Sequence, residues 1–162
     1  MVWPGWLPKA LTLADMWEKD LPVINAVLDR DFRNGSPEFD HLPVWWDRSI
    51  RGEHGLEDGL WHLISREGEM TIVRGYDVAR ANKVPWCAPC LFFQGESVCT
   101  VWQYGERGRV RTYVWVKPLD YCIVLEVREQ RKGRIAWLVT AYHVDGTSRR
   151  RNLQRKWDKR IQ

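Results

Sequence analysis

The chain has 162 residues, of which 28% are charged and 44% apolar, with a formal net charge of +4. That length fits one domain of ordinary size, residues 1–162, and the apolar share excludes a disordered chain. No apolar run approaches the ~20 residues of a bilayer-spanning helix, and the N-terminus lacks a charged segment followed by an apolar one. The expectation is a cytoplasmic protein with no membrane partner.

In chain order, residues 13–32 have a helical pattern with a restart at Asp20-Leu21-Pro22, since proline is tolerated in a first turn. Ile24, Val27 and Leu28 would share its buried face. Residues 33–40, with Asn-Gly and Ser-Pro steps, read as a loop, and "LPVWWDRSI" as a short strand. A helix is expected over 56–69, with Leu56, Leu60, Leu63 and Ile64 on one buried face and His62, Ser65, Arg66 and Glu69 on a polar one. A second runs over 77–83, capped by Asp77 and disturbed by Pro85. The period then changes to two. Residues 98–104, 109–116, 121–129 and 135–144 are four β-rich runs joined by short turn-like links, "GERG", "KPLD" and "RKGR". The expected class is α+β: N-terminal helices, a four-stranded antiparallel sheet and a C-terminal helix, with residues 1–55 a helical and loop part and 56–162 the core.

That last helix is basic. Residues 148–162 hold Arg149, Arg150, Arg151, Arg155, Lys156, Lys159 and Arg160 against Asp158, so they carry +6 and the rest of the chain −2. Such a localised charge suits a phosphate-rich partner, or is simply a solvated helix face.

The stretch "VPWCAPC", residues 84–90, has the form of a thioredoxin-type redox site. Such a site needs its first thiol at a helix N-terminus after a buried strand. Here the preceding "DVARANKVP" is polar and helix-like, and no long helix follows, so the motif reads as accidental. Cys87 and Cys90 also have half the spacing of a zinc site, but Cys99 and Cys122 stand singly in strands without a second knuckle. Buried free thiols are the simpler reading.

Three stretches carry a resemblance: "EDGLWHLISRE", "VRGYDVARANKVPW" and "AWLVTAYHVDGTSRRRNLQRKWD". Together they resemble uncharacterised, largely phage- or prophage-encoded proteins of the barnase/EndoU/colicin/RelE (BECR) ribonuclease superfamily. The likeness covers roughly residues 56–158, and its most specific part is the Thr-Ala-Tyr strand with an upstream histidine. Similar proteins lack the two cysteines after the tryptophan, and His143 stands where they often carry another residue.

The resemblance implies metal-independent RNA cleavage by a toxin or phage effector, with no cofactor, tRNA or mRNA as substrate, and a possible immunity or antitoxin partner. Such chemistry needs proton transfer and cations around the phosphorus. His62 is the expected proton-transfer residue. Thr140 and Tyr142 share a strand face by the period of two, and could bind the phosphate or hold the nucleophile. Arg74 stands with them, and Arg66 and Arg80 are further phosphate clamps. Arg149, Arg150, Arg151, Arg155 and Lys156 would contact the RNA backbone. Of the eleven tryptophans, Trp45, Trp46, Trp61, Trp102 and Trp115 are candidates for stacking bases. Each of these residues also has a structural reading: His62 as a packed helix residue, Thr140 and Tyr142 as ordinary strand formers, the arginines as ion-pair partners and the tryptophans as core. Two other functions fit: a non-catalytic nucleic-acid-binding protein, or a phage protein that binds a host protein through its tryptophans.

Overall fold

The structure is a computed structural model that describes residues 3–67 and 75–162 in full and the backbone of Arg74. Helix α1 spans Trp17–Leu28 and continues as a π-helical turn over Asp29–Arg33. It starts before Asp20, not at it. The Asp20 carboxylate accepts the Ala14 N–H at 2.7 Å and the Met16 N–H at 3.1 Å, which folds the incoming chain onto the first turn and lets the helix begin earlier. Pro22 then removes one intrahelical bond, on the exposed side. Ile24, Val27 and Leu28 are buried as their spacing predicts.

Strands β1 (Glu38–Phe39) and β2 (Leu42–Trp45) form a small antiparallel hairpin. The helix expected over 56–69 is cut short: α2 covers Asp58–Trp61 only, and Ser65–Glu67 is strand β3, paired with β4 at Arg74–Tyr76. The Leu63 and Ile64 N–H groups reach back three residues instead of four, and the Ser65 hydroxyl donates to the Trp61 carbonyl at 2.6 Å, which satisfies the helix end. Leu56, Leu60, Leu63 and Ile64 are nevertheless all buried. Ser65, expected on the polar face, is buried with them. Glu69 lies outside the described residues.

Asp77 caps α3 (Val78–Ala81) by accepting the Ala79 N–H at 2.9 Å. Pro85 ends nothing further; it sits in the first turn of a second helix, α4 (Val84–Phe92), where its missing N–H is harmless. The Trp-Cys-Ala-Pro-Cys stretch is therefore the body of a helix.

The four β-rich runs form the meander β5 (Thr100–Glu106), β6 (Arg109–Val116), β7 (Tyr121–Gln130) and β8 (Gly133–His143). The β5–β6 link is a two-residue turn with positive φ at Arg107 and Gly108, the geometry that matches strand twist. The sheet does not stop at four strands. Its order is β1-β2-β8-β7-β6-β5, and β2 joins β8 in parallel, with Val44 opposite Ala136 and Trp45 opposite Trp137. The expected four-stranded antiparallel sheet is thus part of a six-stranded mixed one, because the N-terminal hairpin supplies partners to the open edge of β8. Last comes the basic helix α5, Gly146–Asp158.

The sheet separates two cores. On one face α1, α2 and α4 pack against Val114, Val116, Ile123, Leu125, Ala136 and Leu138. On the other, Leu153 and Trp157 of α5 pack against Trp102, Tyr113, Trp115 and Cys122. Trp46, Trp61, Trp102 and Trp115 are all buried, so they serve as core and not as stacking platforms; Trp45 is exposed. No helix among the described residues is long and apolar enough to cross a membrane.

Candidate functional site

Cys87 and Cys90 are fully buried inside α4, and burial pushes the Cys87 thiol up to about 12 and the Cys90 thiol higher still. A redox site needs the opposite shift and an accessible sulfur. Among the described residues, no three His, Cys, Asp or Glu side chains gather as a metal would require.

The second half of β8 is where the predicted site residues meet. Register places Thr140 opposite Val124 and Tyr142 opposite Cys122, both on the face that carries α5. The pairing skips Val139, so a bulge absorbs one residue there while Thr140 and Tyr142 still share a face. Beyond Trp137 the outer edge of β8 is no longer paired by β2. The end of α2 lies there instead: the Thr140 hydroxyl donates to the His62 carbonyl at 3.4 Å. His62 closes α2, half-buried, with Nε2 at 4.0 Å from the Asp58 carboxylate one turn earlier.

Tyr142 is flanked by two guanidinium groups. Arg80, from α3, lies 5.6 Å from its ring centroid, and Arg149, from the first turns of α5, lies at 5.9 Å. Arg80 is held in place by a 2.7 Å bond to the Ser65 carbonyl. Arg66, from β3, stands between Asp77 and Asp145 at 3.8 Å from each, and Asp145 also pairs with Arg149 at 3.3 Å. Two arginines from two elements thus lie over one aromatic ring, and Asp145 joins the second of them to Arg66. Burial, then the adjacent Cys122 thiol, pushes the Tyr142 phenol well above its ordinary value of 10.0. Its hydroxyl therefore stays protonated at neutral pH and is engaged with the Cys122 thiol.

Three residues of this cluster were not singled out beforehand: Lys83, Asp145 and Asp58. Lys83 bonds the Ala79 carbonyl at 2.9 Å, and burial lowers its pKa against the pull of Asp77 and Asp145. Charges on short loops and helix ends have no periodicity, so only the packing of α3 beside β8 gathers them. His143, one residue past Tyr142, senses the same charges. Burial first, and then Lys83, lower its pKa, so it is neutral at pH 7.

Other predicted residues lie elsewhere. Arg74 has its side chain outside the described residues. Arg150 pairs with Asp120 and lies over Trp115. Arg155 is exposed and bonds Asn152 at 2.8 Å, and Arg151 is exposed on the outer side of α5. Lys156 departs most from expectation. It is 9% exposed, and its ammonium donates to Tyr113 at 2.8 Å and Glu106 at 3.0 Å, which pins α5 to the sheet. It belongs to the fold and not to the surface charge. In comparisons with known proteins, no family model, no curated protein and no solved structure matches this chain.

Proposed function

We propose that the chain is an RNA-binding protein that cleaves its substrate without a metal, as the resemblance to BECR ribonucleases implies. The observation that carries this reading is the pair of guanidinium groups close to the Tyr142 ring, with a third arginine joined to one of them through Asp145 and His62 at the same strand edge. Arginine forks bind phosphate oxygens in two places at once, and the carboxylates beside Arg66 and Arg149 can be exchanged for a phosphate. In the reaction, a base takes the proton of a ribose 2′-hydroxyl and that oxygen attacks the adjacent phosphorus. The bond to the 5′-oxygen breaks, an acid returns a proton to it, and a 2′,3′-cyclic phosphate is left. His62 is the proton-transfer residue, with Asp58 within reach to orient or charge-stabilise its ring. Arg66, Arg80 and Arg149 hold the phosphate, and Thr140 positions His62 through its carbonyl. Tyr142 serves as the platform against which Arg80 and Arg149 rest.

The state of Tyr142 also favours a second reading, a nucleic-acid-binding protein with no catalysis. Its phenol is engaged with the buried Cys122 thiol, which withdraws one of the two hydroxyls expected to bind the phosphate or hold the nucleophile. The test is incubation of the purified protein with total tRNA and a mixed RNA pool in excess EDTA, beside His62→Ala. Cleavage should persist with the chelator and fall by about 100-fold or more in the variant, the scale of a lost general acid or base, with RNA still bound. Intact RNA with salt-dependent binding would establish the second reading instead. An absence of binding at low salt would overturn both.

A further inference from the structure

The opposite end of β8 holds a second feature that the proposed site does not use. Trp45 is 46% exposed, while its neighbours Val44 and Trp46 are buried. It stands between two grooves, of about 510 Å³ and 290 Å³, and lines both. The larger is walled by the β7–β8 turn, where Arg131, Lys132 and Arg134 are all exposed and Glu129 pairs only with Arg134 among the described residues. Parallel register sets Trp45 beside Trp137. The Arg128 guanidinium lies over the Trp137 ring at 4.3 Å while its Nε pairs with Glu126 at 3.1 Å. An exposed indole, a second indole that carries a flat cation, and a turn of three further cations are the parts of a site that stacks bases and follows a phosphate backbone.

The position of this patch is as telling as its content. Trp137, Thr140 and Tyr142 are on one face of β8, and at about 3.3 Å per residue Trp137 lies roughly 16 Å from Tyr142. One extended strand could therefore touch both ends.

We propose that the sheet end around Trp45 is a docking surface for single-stranded RNA. Trp45 stacks a base, and Arg128, Arg131 and Lys132 contact the phosphates of the strand whose scissile bond lies at Tyr142. The choice of RNA rests on the function proposed above; the docking surface itself does not depend on cleavage.

The experiment is fluorescence anisotropy of a labelled 2′-O-methyl oligouridine, which has no free 2′-hydroxyl and cannot be cut, with the full chain at several salt concentrations. Trp45→Ala should weaken binding about tenfold and Trp45→Phe much less, as expected for a stacked base. Arg131→Glu with Lys132→Glu should weaken it at least as much and lower the salt slope by about two. Lys19→Glu, on α1 across the sheet, should leave it unchanged. All these side chains are exposed, so circular dichroism should show the fold intact. Wild-type affinity in both sheet-end variants would overturn the proposal, whether or not tRNA is cleaved. Equal affinity for a polyglutamate peptide, with the same pattern across variants, would overturn RNA as the occupant. Loss of oligouridine binding in these variants, beside a wild-type protein that cleaves nothing, would uphold this surface and sink the nuclease reading.

Discussion

Lys156 and Asp20 look alike in the sequence, as single charges among many, and the fold uses both as internal ties. Lys156 joins Glu106 and Tyr113 beneath α5. Lys156→Ala leaves the Tyr113 hydroxyl and the Glu106 carboxylate short of a donor and should cost about 1–2 kcal/mol, read as a lower midpoint in urea. Lys156→Met, which keeps the apolar stem, should cost less if packing contributes alongside charge. Asp20 accepts three hydrogen bonds, from the Ala14 and Met16 N–H groups and the Tyr76 hydroxyl at 2.7 Å. Asp20→Asn turns one acceptor into a donor and should lower the melting temperature. The cysteines make a third case. Cys87, Cys90 and Cys122 are fully buried and Cys99 is partly exposed. A native thiol titration with an aromatic disulfide reagent should therefore modify at most Cys99, and slowly, since burial pushes its thiol up to about 11. Rapid reaction of two thiols would contradict the helical placement of the motif.

Among the elements, α2 shows how little helix is needed when its surroundings hold it. It has one turn, and Gly59 brings it against the segment that follows β2. The Gly59 N–H donates to the Asp47 carbonyl at 2.9 Å, and an added Cβ would lie 2.7 Å from the Asp47 nitrogen and 2.8 Å from the Trp46 Cβ. Gly59→Ala must displace backbone and should cost about 1–3 kcal/mol, although alanine is the better helix former. Because α2 delivers His62 to the β8 edge, that substitution should also reduce any RNA cleavage more than it reduces RNA affinity. The meander and α5 were legible because alternation over long strands and a dense basic run are strong local signals. The end of α2 was not, since the apolar spacing of Leu60, Leu63 and Ile64 is the same for a helix as for a tightened turn that leads into a strand. The helical body of "VPWCAPC" was hidden because its two prolines read as helix breakers and a segment apolar on nearly every side shows no amphipathic period.

For the whole molecule, the shifted groups set a window of stability in pH. Burial lowers the pKa values of His54 and His143 below 6.5, so between their folded values and 6.5 the unfolded chain binds more protons. Their contribution is complete above about pH 6.5 and declines as the pH falls. Burial raises the pKa values of Asp20, Glu57 and Glu106, yet hydrogen bonds and ion pairs outweigh it and hold all three low, so a second loss follows below about pH 4. On the alkaline side, burial raises the thiols of Cys87, Cys90, Cys99 and Cys122, so stability begins to fall as the unfolded thiols ionise at about pH 8.5. The Tyr76 phenol, raised by burial and the Asp20 bond, adds a further loss at about pH 10. Thermal melts from pH 3 to 11 should show a plateau between about 7 and 8, with two steps on the acid side and a decline that starts at about pH 8.5; a maximum below pH 6 would contradict the histidine assignment.

The amino-acid order by itself determined the parts whose cause is local. The α+β class, the four-strand meander, the basic last helix and the shared face of Thr140 and Tyr142 all follow from periods that a short window contains. The meeting of Arg80 and Arg149 at Tyr142, with Arg66 joined to Arg149 through Asp145, was decided only in three dimensions, as were the entry of β2 as a parallel strand and the burial of Lys156 and four of the five candidate tryptophans. These rest on contacts between segments far apart in the chain, and a side chain's exposure depends on which segment covers it, which no local pattern records.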